Sequence, residues 1–131
     1  MNRLIETIFA NFTVNGVAIP VKFLRYEGHG EPYVIYQHTD ADASISADNE
    51  LLGYVDFYDF DIYSKENYMP IIEGILQIMK DNNFTYQPSR SSADMYETDT
   101  GYYHRTLCFA IERMDIYGEN RTEELQVWGS V

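Results

Sequence analysis

Several residue types are scarce in this chain, and each scarcity excludes something. Its 131 residues hold one cysteine, Cys108, and one tryptophan, Trp128. A single cysteine excludes an intrachain disulfide, and Cys108 is expected to be a small buried apolar residue. Cations are few: nine Lys and Arg stand against 21 Asp and Glu, a formal charge of −12 at pH 7. Such a surface repels phosphate backbones, so tight nucleic-acid binding is not expected. It is also a poor match for an anionic membrane, whereas basic partner surfaces fit it. No apolar run approaches membrane-spanning length. The stretch from Met1 to Phe12 is too short and too interrupted for a signal peptide, which makes the cytosol of the producing cell the expected compartment.

Motifs of common chemistry are missing too. No GxGxxG lies between a strand and a helix, and there is no GxxxxGK loop, GxSxG elbow, HExxH or CxxC. The three histidines are His29, His38 and His104. His38-Thr39-Asp40-Ala41-Asp42 sets an imidazole near two carboxylates, but metal sites show tighter patterning than this. A strand-end histidine beside a solvated acidic loop is the simpler account. Asp59 and Asp61 fall side by side on one strand face, as a solvated face requires. His104 and Cys108 share a face but lie roughly 13 Å apart along a strand, too far for a nucleophile and its base. No metal, cofactor or enzymatic activity is expected. The alternative is a small acidic ligand-binding domain or enzyme using His38, Asp40 and His104.

What is present is a globular composition rich in aromatics. Hydrophobic residues make up 45 % of the chain, and there are 12 Tyr and seven Phe. A single domain of this length buries roughly two-thirds of the surface its unfolded chain exposes. Tyr suits both sheets and interfaces. Leu4, Ile5, Ile8, Phe9 and Phe12 recur at helical spacing and predict a helix over about Arg3 to Phe12. Asn15-Gly16 signals a tight turn, followed by a strand near Val21 to Tyr26. A second strand covers about Tyr33 to His38. The polar stretch Thr39 to Glu50 reads as a mobile loop. A long strand follows, about Gly53 to Tyr63, with Tyr58, Phe60 and Ile62 on one face. Val55 and Phe57 fall on the face that Asp59 and Asp61 use, which implies either a bulge or a strand covered on both faces.

Tyr68, Ile71, Ile72, Ile75, Leu76 and Met79 form one apolar stripe and predict an amphipathic helix. Asn67 is its expected N-cap, Pro70 sits in its first turn, and Asn82-Asn83 marks its end. Phe84 to Gln87 reads as a short strand, Pro88 to Gly101 as a second polar loop, and Tyr102 to Arg113 as the last long strand. Leu125 to Trp128 reads as a further short strand or a tail. The expected fold is α+β: an antiparallel sheet of about four to five strands with two helices packed on one face. Residues 1–113 form the domain and residues 114–131 an extension.

One block resembles a known family. It runs from Tyr54-Val-Asp-Phe-Tyr-Asp-Phe-Asp-Ile-Tyr-Ser-Lys65 through Asn67-Tyr68 into the amphipathic helix. It ends in Asp99-Thr-Gly-Tyr-Tyr-His-Arg-Thr-Leu-Cys-Phe109, with Ile19-Pro20-Val21 and Tyr33-Val-Ile-Tyr36 upstream. In that order these pieces are similar to the tail completion proteins of long-tailed bacteriophages and prophages, also called tail terminator or head–tail joining proteins. Each piece alone is common. The resemblance covers roughly residues 3–113. It implies a structural virion protein, assembled in the bacterial host cytoplasm. Such a protein forms a ring, commonly a hexamer, at the head-proximal end of the tail. The ring stops tube growth and joins tail to capsid, and the genome passes through it without tight binding. The implied partners are further copies of the chain, the tail tube protein and head connector proteins; a membrane is not among them. The candidate contact residues are Asp40, Asp42, Asp48 and Glu50 in the first polar loop and Asp94, Tyr96, Glu97 and Asp99 in the second. Leu125, Val127 and Trp128 in the tail complete the set.

Overall fold

The computed structural model describes residues 2–27, 31–45 and 51–114. The expectations on Asp48, Glu50, Leu125, Val127 and Trp128 lie outside the described residues.

The chain opens with helix α1 (Asn2–Ile8). It is shorter than its apolar spacing predicts. After Ile8 the backbone loosens into a turn in which Phe12 N–H donates to the Phe9 carbonyl, yet Phe9 and Phe12 remain buried. Asn15 and Gly16 then take φ of 52° and 79° and join β1 (Thr13–Val14) to β2 (Val17–Ala18). Positive φ at both central residues is what a two-residue hairpin turn needs, and Asn-Gly supplies it at little steric cost.

The main sheet has six strands, not the four to five expected, in the order β3–β4–β5–β8–β6 with β7 also on β8. Its long members are β4 (Tyr33–Ile45), β5 (Leu51–Ser64) and β8 (Tyr103–Met114). The short members are β3 (Val21–Phe23), β6 (Thr85–Tyr86) and β7 (Met95–Tyr96). Strands β3 and β6 fall within the strands expected over Val21 to Tyr26 and Phe84 to Gln87, whereas β7, in the expected loop, carries no readable period and is made a strand by pairing with β8. The sheet is also not wholly antiparallel, because β3 runs parallel to β4. The strand expected to reach Tyr26 stops at Phe23, where Leu24 turns to a φ of 65°.

The polar stretch expected to be a loop from Thr39 is strand as far as Ile45. Asp40, Ala41, Asp42 and Ala43 alternate acid with small residue, a period of two without the apolar signature of a strand. Pairing with β5 supplies the stability that hydrophobicity does not. The ladder shifts by one residue between His38 and Asp40, which leaves Thr39 as an extra residue. The bulge is therefore on β4. Against β8, β5 pairs without interruption from Gly53 to Ser64. The phase change in β5 thus reflects cover on both faces.

Helix α2 (Met69–Asp81) carries the predicted stripe. Tyr68, Ile71, Ile72, Ile75 and Met79 are buried, and Leu76 is half-buried. Burial of each large side chain contributes about 1.5–3 kcal/mol. The capping position is Tyr68, one residue later than expected, although Asn67 Oδ1 still accepts the Met69 N–H at 3.1 Å. Asn83, at a φ of 68°, follows the end of the helix. Ile5, Phe9 and Phe12 share one buried cluster with this stripe and with Val34, Tyr36, Tyr58, Phe60, Ile62, Leu107 and Phe109. Gly74 leaves room for the Phe12 ring against α2: a Cβ there would lie 2.9 Å from Phe12 Cε1.

The second polar loop is also more structured than its composition implies. Pro88–Arg90 make a 3-10 turn. Ser92 N–H donates to the Thr106 carbonyl at 3.0 Å, while Ser91 and Ser92 Oγ accept the N–H groups of Cys108 and Thr106 at 2.9 Å each. Serine oxygens thereby occupy positions that a paired strand would fill along the β8 edge.

Candidate functional site

Residues opposite one another in a ladder share a face, so the registers assign every candidate side chain. His38 lies opposite Tyr58 and therefore on the core face. His104 lies opposite Tyr63, on the face of Asp59 and Asp61. The two histidines are thus on opposite sides of the sheet and about 17 Å apart along β5. Asp40 is opposite Phe57, on the His104 face but six residues away along β5 from Tyr63, which His104 faces. The three residues of the ligand-binding alternative do not converge.

Each instead joins a separate cluster. His38 Nε2 lies 3.1 Å from Asp56 Oδ1, and Arg113 Nε donates to Asp56 Oδ2 at 2.8 Å. Asp56 is fully buried and in phase with Tyr58, Phe60 and Ile62. The Arg113 guanidinium also covers the Tyr54 ring, 4.5 Å from its centroid. A buried carboxylate needs such partners, because an unpaired charge there would be costly. Sequence reasoning passed over Asp56 and Arg113. The signal was an aspartate in step with the apolar face of β5.

On the other face, the His104 ring stacks on Tyr63 at 4.3 Å, with Nε2 3.4 Å from Asp61 Oδ1 and Nδ1 3.8 Å from Glu97 Oε2. Thr106 Oγ1 donates to Asp61 at 2.5 Å. Tyr33 stacks on Tyr63 at 4.8 Å, and Tyr102 closes edge-on against both. Burial, with Asp61 adding to it, pushes the Tyr63 hydroxyl up to about 12. Farther along, Phe57, Cys108 and Ala110 form a small buried cluster with Val55 beside it. Arg90 lies over Phe57, 3.8 Å from the ring centroid, and pairs with Asp40 at 3.0 Å. That hydrogen bond, helped by the Ala41 N–H, holds the Asp40 carboxyl below the usual aspartate range. Partial burial raises the Asp59 carboxyl, and Asp61 adds to the rise. Burial, with Asp59 beside it, pushes the Cys108 thiol up to about 11, so it is protonated at neutral pH and is not a thiolate nucleophile.

The remaining candidates are surface residues. Asp42 is exposed on β4 opposite Val55. Asp94 is exposed, accepts the Tyr68 hydroxyl and lies 3.9 Å from Arg105. That contact, after burial, helps push the Tyr68 hydroxyl up to about 12. Glu97 accepts the Thr100 hydroxyl at 2.9 Å in the turn between β7 and β8, where Asp99 is exposed. Tyr96 is 54 % exposed on β7 and packs against Tyr103, 4.9 Å between centroids. Tyr103 went unsingled in the sequence because it continues the apolar face of β8.

Among the described residues, no three His, Cys, Asp or Glu side chains are grouped so that they could hold a metal ion, and no helix is long and apolar enough to cross a membrane. The fold defines a mixed α+β domain with a dominant sheet. No protein-family model matches the chain, and no curated protein matches it either.

Proposed function

We propose that this chain is a structural protein of a phage or prophage tail. It forms a ring at the head-proximal end, stops tube growth and joins the tail to the capsid. The observation that carries this reading is the coincidence of the resembling block with the centre of the fold. Its pieces are β5, the entry to α2 and the start of β8, and they meet in one core. The two helices are taken as one layer over one face of the sheet, which leaves for neighbours those parts of the opposite face and edges that the 88–96 segment and the short strands do not cover. The net charge of −12 suits a ring through which DNA passes without sticking. A heterologous ring needs two different complementary surfaces on each subunit. Asp40 and Asp42 on β4 are offered as part of one of them, while the β7 region with Asp94, Tyr96, Glu97 and Asp99, toward the other end of the sheet, is offered as a contact with the other tail or head proteins. The alternative of a ligand-binding domain on His38, Asp40 and His104 draws no support from their positions.

The test is deletion of the gene from the phage or prophage that encodes it, followed by electron microscopy of the particles. Tubes of uncontrolled length, unattached to filled heads, are expected. Normal tails joined to heads would refute the proposal, as would a gene that lies outside a block of capsid, portal and tube genes.

A further inference from the structure

Most of the sheet's edges are closed or guarded. Strand β3 and the Leu24 N–H cover β4 at Val34–Tyr36, while β6, Gln87 and the two serines cover β8. Where β4 runs on uncovered by described residues, it carries Asp40 and Asp42, and charged side chains on an edge discourage pairing. The outer edge of β7 differs. Glu97 N–H donates inward to the Tyr102 carbonyl at 2.9 Å, and Met95 is opposite His104. The alternation of an antiparallel pair therefore turns the backbone N–H and C=O of Asp94 and Tyr96 outward, where no described residue meets them.

That edge also exposes apolar side chains on both of its faces: Tyr96 at 54 % and Tyr103 at 46 % on one, and Met95 at 44 % on the other. Exposed tyrosine and methionine together are the composition of an interface, not of a solvated strand. Exposed carboxylates flank it at Asp94 and Asp99, with Glu97 partly exposed between them. Within the domain, cations already sit on aromatic rings: Arg90 on Phe57, Arg113 on Tyr54 and Lys65 on Tyr102. The Tyr96–Tyr103 pair offers the same contact with no cation over it in the described residues.

We infer that β7 accepts an extended, basic segment of a partner protein as an added strand. Its backbone pairs with Asp94 and Tyr96, and its Lys or Arg side chains lie on Tyr96 and Tyr103 beside the carboxylates. Main-chain bonds hold such a strand, and the side-chain contacts select it. The occupant is a partner and not a second copy, because a chain of charge −12 presents few cations of its own. The inference deepens the assembly reading by naming the chemistry of one partner surface.

The probe is a short synthetic peptide of alternating arginine and valine, titrated into the isotope-labelled full chain and followed by backbone amide shifts. Saturable shifts centred on Asp94, Met95 and Tyr96 are expected. Tyr96→Ala combined with Tyr103→Ala should weaken binding at least tenfold while the rest of the spectrum is kept. Asp94→Asn with Asp99→Asn should weaken it less, and only at low salt. The peptide with glutamate in place of arginine should not bind. Four results would overturn the inference: shifts centred on β4 instead, equal binding of the two peptides, no loss in the tyrosine variant, or concentration-dependent broadening at β7 without peptide. The last would make a second copy the occupant. A positive titration alongside normal virions from the deletion strain would retain this surface and reject only the phage assignment.

Discussion

Asp56 gives the sharpest test of the fold's energetics. Its side chain has no solvent exposure, and it is held by Arg113 at 2.8 Å and His38 at 3.1 Å. Arg113 is itself largely buried, with 14 % of its side chain exposed. Asp56→Asn keeps the shape and removes the charge, leaving the guanidinium against the core face without its carboxylate. Breaking a buried pair from one side costs about 3–5 kcal/mol. For a chain of this length each kcal/mol moves the midpoint by roughly 4 °C, so a fall of about 12–20 °C is expected in calorimetry. The total stability of such a domain is about 5–15 kcal/mol, so the variant should still fold at low temperature. Replacing both partners, as Asp56→Leu with Arg113→Met, removes the desolvation cost along with the attraction. It should return most of the loss, and the double-mutant cycle should report a coupling of about 2 kcal/mol or more. If Asp56→Asn moved the midpoint by less than about 3 °C, or the two single losses simply added, the buried pair would not be holding this end of the sheet.

Three further outcomes follow from the same geometry. Asp59 has a raised carboxyl pKa, so between the ordinary aspartate value and the raised one the folded state binds more protons than the unfolded state. Stability contributed by this group is thus fully present below the ordinary value and lost as pH rises through the folded one. Asp59→Asn should accordingly leave the midpoint unchanged or raise it at pH 7, with any gain gone near pH 3; a loss at pH 7 that vanishes in acid would contradict this. Cys108, with its thiol at about 11, should resist a thiol reagent at pH 8 in the native protein and react within minutes once unfolded, which mass spectrometry can follow. Gly74→Ala gains roughly 1 kcal/mol of helix propensity but sets a Cβ 2.9 Å from Phe12. Overpacking costs about 1–3 kcal/mol, so the expected net loss in urea unfolding is about 1 kcal/mol, recovered when Phe12→Leu is added; a net gain would mean that the ring yields freely.

The helix Met69–Asp81, the core face of β5 and β8, and the Asn-Gly turn were all legible in the sequence. Each rests on contacts that are local or periodic: a 3.6-residue stripe, a two-residue alternation, and a turn that demands positive φ. The burial of Cys108 was legible for a similar reason, since an uncharged small residue between apolar neighbours has little else to do. What tertiary structure decided is what pairing decides. Asp40 to Ala43 carry no apolar period, yet they extend β4 because β5 lies beside them and supplies the hydrogen bonds. Strand β7, inside the stretch expected to be a loop, is too short to exist alone and takes its form from the edge it meets. The bulge at Thr39 sends His38 to one face and Asp40 to the other, so neighbours in the chain serve unrelated clusters. Asp56 and Arg113 are 57 residues apart and meet only across the β5–β8 ladder. Side-chain period is a property of one strand, whereas register and partner belong to the sheet, and no segment contains that information by itself.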